Sequence, residues 1–234
     1  MAFTLVLALS LVLTLSACQP KPKIVDSGET QAESPASEVT TELEASSNTE
    51  KGEIMSKQAI APAEGYRRVE EITELVNIHM ANGDNIVVEL DPATAPITVA
   101  NFQKLVSEEF YNGTIFHRII PGFMVQGGDP TGSGMGGSQE TIKGEFAQNG
   151  IENKLAHKRG VISMARSMDM DSASSQFFLM HADAPHLDGA YAAFGQVVYG
   201  MDAVDRIAES KTGANDRPLD PPTMEEVFFV EKDD

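Results

Sequence analysis

Tryptophan is absent from the sequence, and cysteine occurs once, at Cys18. A single cysteine excludes an intrachain disulfide and a zinc site built on thiolates. Basic residues are scarce: 17 Lys and Arg stand against 35 Asp and Glu, a formal net charge of -18. With a pI near 4.5, no basic patch is large enough to follow a phosphate backbone, which excludes nucleic acid as a partner. His79, His117, His157, His181 and His186 show no ligand spacing such as H-x-x-x-H, so the sequence offers no metal site and calls for no cofactor. A serine hydrolase finds no support either, because no G-x-S-x-G elbow occurs. What remains is ample for a core: 234 residues with 41% hydrophobic content favour one domain plus accessory segments.

The longest apolar run, Ala2 to Leu15, is broken only by Thr and Ser. It falls short of the roughly 20 residues that span a bilayer and suits a signal h-region. Leu15-Ser16-Ala17-Cys18 follows and resembles the lipobox of bacterial lipoproteins. That resemblance implies a signal peptide over residues 1–17 and a lipidated Cys18 as the first mature residue. It also implies a lipid anchor in the cell membrane, facing the extracytoplasmic side. No Lys or Arg precedes the apolar run, where a signal n-region would carry one, and an uncleaved signal anchor is the other reading. Residues 18–65 are rich in Ser, Thr, Glu, Ala and Pro and hold no aromatic residue before Tyr66. Such a composition cannot bury enough apolar area to offset the entropy of ordering, so it reads as a disordered acidic tether.

The folded domain is expected over residues 66–234. Val76, Ile78 and Met80, then Ile86, Val88 and Leu90, alternate with other residues around Asn82-Gly83, which predicts a β-hairpin. Pro96 opens a helix carrying Val99, Phe102, Leu105 and Val106 at helical spacing. Short strands are expected at 160–165, 176–180, 192–198 and 227–230, and a second helix around Met201, Val204, Ile207 and Ala208. Many short strands and two helices predict a mainly β antiparallel barrel or sandwich. Gly132, Gly134 and Gly137 match the G-x-G-x-x-G spacing, but no amphipathic helix follows to hold a pyrophosphate, so the segment reads as a loop beside a site.

One stretch stands apart: Phe116-His117-Arg118-Ile119-Ile120-Pro121-Gly122-Phe123-Met124-Val125-Gln126-Gly127-Gly128-Asp129. Arg rarely sits among such neighbours unless it is paired or faces a pocket. Alternation predicts Phe123, Val125 and Gly127 on one strand face and Met124, Gln126 and Gly128 on the other. Chemistry alone leaves open a plain core strand with Arg at its solvent end.

This stretch resembles the cyclophilins, peptidyl-prolyl cis-trans isomerases. So do Gly160-Val161-Ile162-Ser163-Met164-Ala165, Ser175-Gln176-Phe177-Phe178, Leu187-Asp188-Gly189 and Phe194-Gly195, in the family's order. The resemblance runs from about Ile72 to Val230, and its loops at Ala156–Arg159 and Asp183–Tyr191 are bacterial in style. It implies a closed eight-stranded antiparallel β-barrel capped by two α-helices, acting as a monomeric domain on proline-containing polypeptides. It implies that Arg118 stabilises the twisted amide and that Gln126 binds the substrate carbonyl and orients Arg118. Phe123, Met124, Phe178 and Leu187 would form the proline pocket. His117, Ala165, Gln176 and Phe194 occupy further site positions, Arg166 stands where many members have Asn, and Tyr191 where His is common. His186 replaces the Trp of many eukaryotic members, which implies weak cyclosporin binding. Two functions stay open: an isomerase assisting the folding of exported proteins, and a non-catalytic proline-peptide-binding or chaperone module using the same pocket.

Overall fold

The computed structural model describes residues 60–233; the apolar N-terminal run, Cys18 and the tether as far as residue 59 lie outside the described residues. The nine strands among the described residues are β1 (Tyr66–Arg68), β2 (Leu75–Met80), β3 (Asn85–Leu90), β4 (Arg118–Ile120), β5 (Met124–Gly127), β6 (Val161–Met164), β7 (Phe177–Met180), β8 (Ala193–Tyr199) and β9 (Met224–Lys232). Two helices accompany them, α1 (Pro96–Ser107) and α2 (Met201–Ala208). Each ladder is antiparallel, in the order β1-β9-β2-β3-β8-β6-β7-β5-β4.

The hairpin forms where expected. Gly83 at φ 90° supplies the left-handed turn residue, and the Asp84 carbonyl accepts the Met80 N–H at 2.8 Å. The expected eight closed strands are not what the ladders draw. Short β1, paired with β9, raises the count to nine, and the order has two ends, β1 and β4. Packing also starts before Tyr66. Ala63 is buried against Val87, Phe228 and Val230, and the Asn77 Oδ1 accepts its N–H at 3.1 Å. The expected boundary misses this because Ile60 and Ala63 make too sparse an apolar signal on their own.

The core is aromatic. Phe102 on α1 meets Phe177 edge-on at 5.5 Å and Phe194 at 5.3 Å between ring centroids. All three are essentially unexposed, and burying such a ring is worth about 1.5–3 kcal/mol. The first turn of α1 has no local side-chain cap. Instead the buried Glu145 carboxylate accepts the N–H groups of Ile97 and Thr98 at 3.0 and 2.8 Å and the Thr98 hydroxyl at 2.7 Å. It thereby satisfies orphan donors that a helix N-terminus otherwise leaves to water.

Candidate active site

β4 and β5 pair Arg118 with Gln126, Ile119 with Val125 and Ile120 with Met124. Ile119 and Val125 are fully buried in the core, which turns Arg118 and Gln126 together onto the opposite face. Arg118 Nη1 donates to Gln126 Oε1 at 3.5 Å, and Arg118 Nε stands 3.5 Å from Asp216 Oδ2. Gln126 Nε2 donates to Gln176 Oε1 at 2.8 Å, and Gln176 Nε2 donates to the Gly136 and Gly134 carbonyls at 2.7 and 3.1 Å. This relay fixes both amides. Backbone carbonyls only accept, so Gln176 turns its NH2 toward them and its oxygen toward Gln126. Gln126 then gives one N–H of its NH2 to Gln176, keeps the second N–H free to donate, and leaves its own oxygen for Arg118.

Beside the pair lies a cavity of about 350 Å³. Its apolar wall is Phe123, Met124, Phe178 and Leu187; Ala165, Arg166 and Tyr191 complete the lining with Arg118 and Gln126. Met124 and Phe178 pack in one cluster apart from the main core, which Val125 joins, so alternation holds within β5. It fails at Phe123, which shares the pocket face with Met124 rather than the core face with Val125. The reason is local: Phe123 precedes the ladder, in a turn where its N–H bonds the Ile120 carbonyl at 3.0 Å.

A second cavity of about 460 Å³ adjoins the first and shares Gln126, Ala165 and Arg166 with it. The glycine loop, Gly134 to Gly137, forms one side, with Gln176 beside it. Buried Asp129 organises that loop by accepting the N–H groups of Thr131, Gly134 and Gly136 at 2.8, 2.6 and 3.1 Å. Burial works to raise the Asp129 pKa. The hydrogen bonds from Thr131, Gly136 and Gly134 outweigh it and bring the carboxyl down to about 2. Arg166 is the partition between the cavities. Its guanidinium lies 5.0 Å from the Phe146 ring and 4.9 Å from the Tyr191 ring, and bonds the carbonyls of Ala190 and Ser167.

The chain now has a cation with free N–H groups at the mouth of a rigid apolar cup, beside a glycine-lined groove. The family model described as cyclophilin type peptidyl-prolyl cis-trans isomerase/CLD matches residues 75–228. The chain belongs to the cyclophilin-type peptidyl-prolyl cis-trans isomerase family. It is 43% identical over 151 residues to peptidyl-prolyl cis-trans isomerase-like 1 of Gibberella zeae, covering 64% of this chain and 91% of that protein. It is 46% identical over 123 residues to peptidyl-prolyl cis-trans isomerase B of Bacillus subtilis, covering 53% of this chain and 82% of that protein. A cyclophilin from Cryptosporidium parvum, crystallised in the presence of the dipeptide Ala-Pro, superposes with a TM-score of 0.61 at 30% identity, covering 66% of this chain and 97% of that one.

Three site positions expected in this cyclophilin lie outside both cavity linings. Phe194 is a core residue on Phe102. His117 is buried beneath the glycine loop, where a Cβ on Gly134 would approach its ring at 3.3 Å. Its two ring nitrogens have no hydrogen-bond partner among the described residues. Burial lowers its pKa, and the Asp129 charge opposes that shift. His186 stands outside the cup, stacked on Phe123.

Other residues support the cup without a motif to announce them. His157 Nδ1 meets Asp188 Oδ1 at 3.0 Å and His157 Nε2 meets Ser163 Oγ at 3.0 Å. The carboxylate only accepts, so Nδ1 carries the proton and Nε2 accepts from the Ser163 hydroxyl. The order matches a hydrolytic triad, yet Ser163 is wholly buried, opposite Phe178 in the β6–β7 ladder, and no substrate reaches it. What the triad does is brace Phe178, on whose ring His157 stacks at 6.1 Å. His181 Nδ1 accepts the Gly122 N–H at 2.8 Å while its Nε2 faces Asp205 at 3.2 Å, fixing the turn that carries Phe123.

Proposed function

We propose that Arg118 is the donor that drives X-Pro isomerisation here and that the 350 Å³ cup holds the proline ring. Amide resonance sets a rotational barrier of about 18–20 kcal/mol, and the uncatalysed exchange at proline takes tens to hundreds of seconds. Twisting the bond breaks that resonance and returns a lone pair to the imide nitrogen. A guanidinium positioned for that lone pair binds the twisted state more strongly than either planar isomer, which is what acceleration requires. The apolar cup keeps the ring still while the preceding carbonyl swings, and Gln126 offers an amide to that carbonyl. No covalent step and no cofactor enters this scheme.

The observation that carries the reading is the opposition of Arg118 and Gln126 across one ladder, at the edge of a cup of Phe123, Met124, Phe178 and Leu187. A protease-coupled assay on a proline tetrapeptide tests it. Arg118→Ala is expected to lower kcat/KM by about a hundredfold. Equal rates in both proteins would leave only peptide binding.

The same reading covers fold closure, clients and place. Backbone bonds join Gly113 to Met224 and Phe116 to Pro222, and Ile115 bridges Thr223. These contacts bring the approach to β4 beside β9 and support a closed barrel. The sequence around Cys18 supports a lipid-anchored isomerase facing the extracytoplasmic side, serving exported polypeptides while they fold. The His186 substitution supports weak binding of cyclosporin. Mass spectrometry of the mature N-terminus tests the anchor: a diacylated or triacylated Cys18 is expected, and an unmodified Met1 would overturn it.

A further inference from the structure

The segment from Lys211 to Arg217 buries none of its side chains, yet it holds two consecutive non-glycine residues in the left-handed region, Asn215 at φ 58° and Asp216 at φ 59°. That region is unfavourable for residues with a Cβ, although Asn and Asp tolerate it best, and such outliers persist only where their surroundings enforce them. Here the surroundings do. The Gly213 N–H bonds the Arg217 carbonyl at 2.8 Å, the Leu219 N–H bonds the Lys211 carbonyl at 2.9 Å, and Thr212 bridges Pro218. Core packing does not explain the conformation, since the segment contributes no buried apolar group.

Its one outward polar contact does. Among the described residues, the single side-chain ion pair or hydrogen bond that Lys211–Arg217 makes runs from Asp216 Oδ2 to Arg118 Nε at 3.5 Å. We infer that Asp216 is a positioning residue for Arg118, and that the strained loop exists to hold its carboxylate there. The inference rests on Arg118 being the donor to the twisted imide nitrogen, and it specifies how that donor is aimed.

A guanidinium is a planar fork with five N–H bonds. Asp216 takes the Nε side and Gln126 Oε1 takes one N–H of Nη1, from opposite sides of the fork. With the carboxylate at ion-pair distance on one side and the amide oxygen on the other, the two contacts bias the plane of the group and leave the Nη2 edge for the substrate. Neither tie is strong alone. Both side chains of the pair are close to half exposed, at 42% and 46%, so the pair contributes little to folding. Its value is directional: a donor already pointing at the imide nitrogen loses no rotamer freedom at the moment of twisting.

Two variants separate this role from a structural one. Asp216→Asn keeps the side-chain shape and the tolerance for positive φ while removing the charge. Asp216→Gly relaxes the backbone and removes the whole group. Each is expected to lower kcat by about tenfold while KM for a proline tetrapeptide moves by less than about twofold. Asp216→Gly should keep or raise the thermal midpoint, because glycine adopts the left-handed angle without strain. In ¹⁵N spectra the Arg118 Nε–H resonance should be sharp and slow to exchange in the unaltered protein and should broaden in both variants. A kcat within about twofold of the unaltered protein in both variants would overturn the inference. So would a loss of activity that tracks a loss of thermal midpoint. If instead Arg118→Ala retained full activity, the reading of Arg118 itself would fail, a separate outcome read in a separate protein.

Discussion

His186 lies nearly parallel to Phe123, with ring centroids 5.6 Å apart and an interplanar angle of 29°. An imidazole covers the outside of the apolar cup with a small, polar-edged ring. An indole in its place would offer more apolar area to a bulky macrocycle. The purified domain is expected to bind cyclosporin weakly, and His186→Trp should tighten binding by about tenfold or more. Tetrapeptide isomerisation should change by less than about threefold in the same variant. Titration calorimetry beside the coupled assay checks both, and nanomolar inhibition of the unaltered domain would sink the idea.

Local features were legible in the sequence. The Asn82-Gly83 hairpin, α1 from Pro96 and the β4–β5 apolar stretch all follow from neighbours on the chain. The cup residues were legible through resemblance, and the Arg118–Gln126 pairing follows once the two strands are adjacent. Contacts closed across long separations were not. Glu145 caps α1 from 48 residues away, and β1 pairs with the far end of β9. Asp216 reaches Arg118 only because the braced turn folds it back, and no periodicity encodes a left-handed Asp. Phe123 deceived the period-two reading because a turn, not a pleat, sets its direction.

Gly136→Ala should disturb the glycine loop at one identifiable point. A Cβ there would run into Asp129 Oδ1 and the Thr131 side chain. Asp129 would have to give up hydrogen bonds inside a buried site, a change expected to destabilise the domain by about 1–3 kcal/mol. The Gly136 carbonyl also holds Gln176, which holds Gln126. A fall in kcat/KM should therefore accompany the fall in denaturation midpoint. Full activity in a variant with a shifted midpoint would show that the relay does not reach Arg118.

Stability should decline with acid in two separate windows. Burial lowers the pKa of His117 and His157 below 6.5, with Asp129 and Asp188 respectively opposing the shift. The unfolded chain therefore takes up protons first as pH falls below 6.5, and stability present above that value is progressively lost. Asp129 acts lower. Its carboxyl titrates near 2 rather than 3.8, so its contribution, on the order of 2 kcal/mol, is intact above 3.8 and fades as pH falls toward 2. Urea midpoints across pH check the sign, and His117→Gln should flatten part of the upper window. Midpoints that stay constant from about pH 7 to about pH 5 would contradict the histidine assignment.

The rate itself should be nearly independent of pH around neutrality. A guanidinium keeps its charge throughout that range, and an amide has no proton to lose there. His117 already favours the neutral form, because burial depresses its pKa. A flat kcat/KM from about pH 7 to about pH 9 is expected, with only the uncatalysed background to subtract. Arg118→Lys sharpens the test. An ammonium carries the same charge but lacks the fork that Gln126 and Asp216 hold from two sides, so it cannot be aimed in the same way. Its kcat/KM should fall by about ten- to a hundredfold and should drop further as pH approaches the lysine pKa of about 10.4. If charge alone stabilised the twisted amide, the lysine variant would match the unaltered enzyme at neutral pH, and the aimed-donor account would be lost.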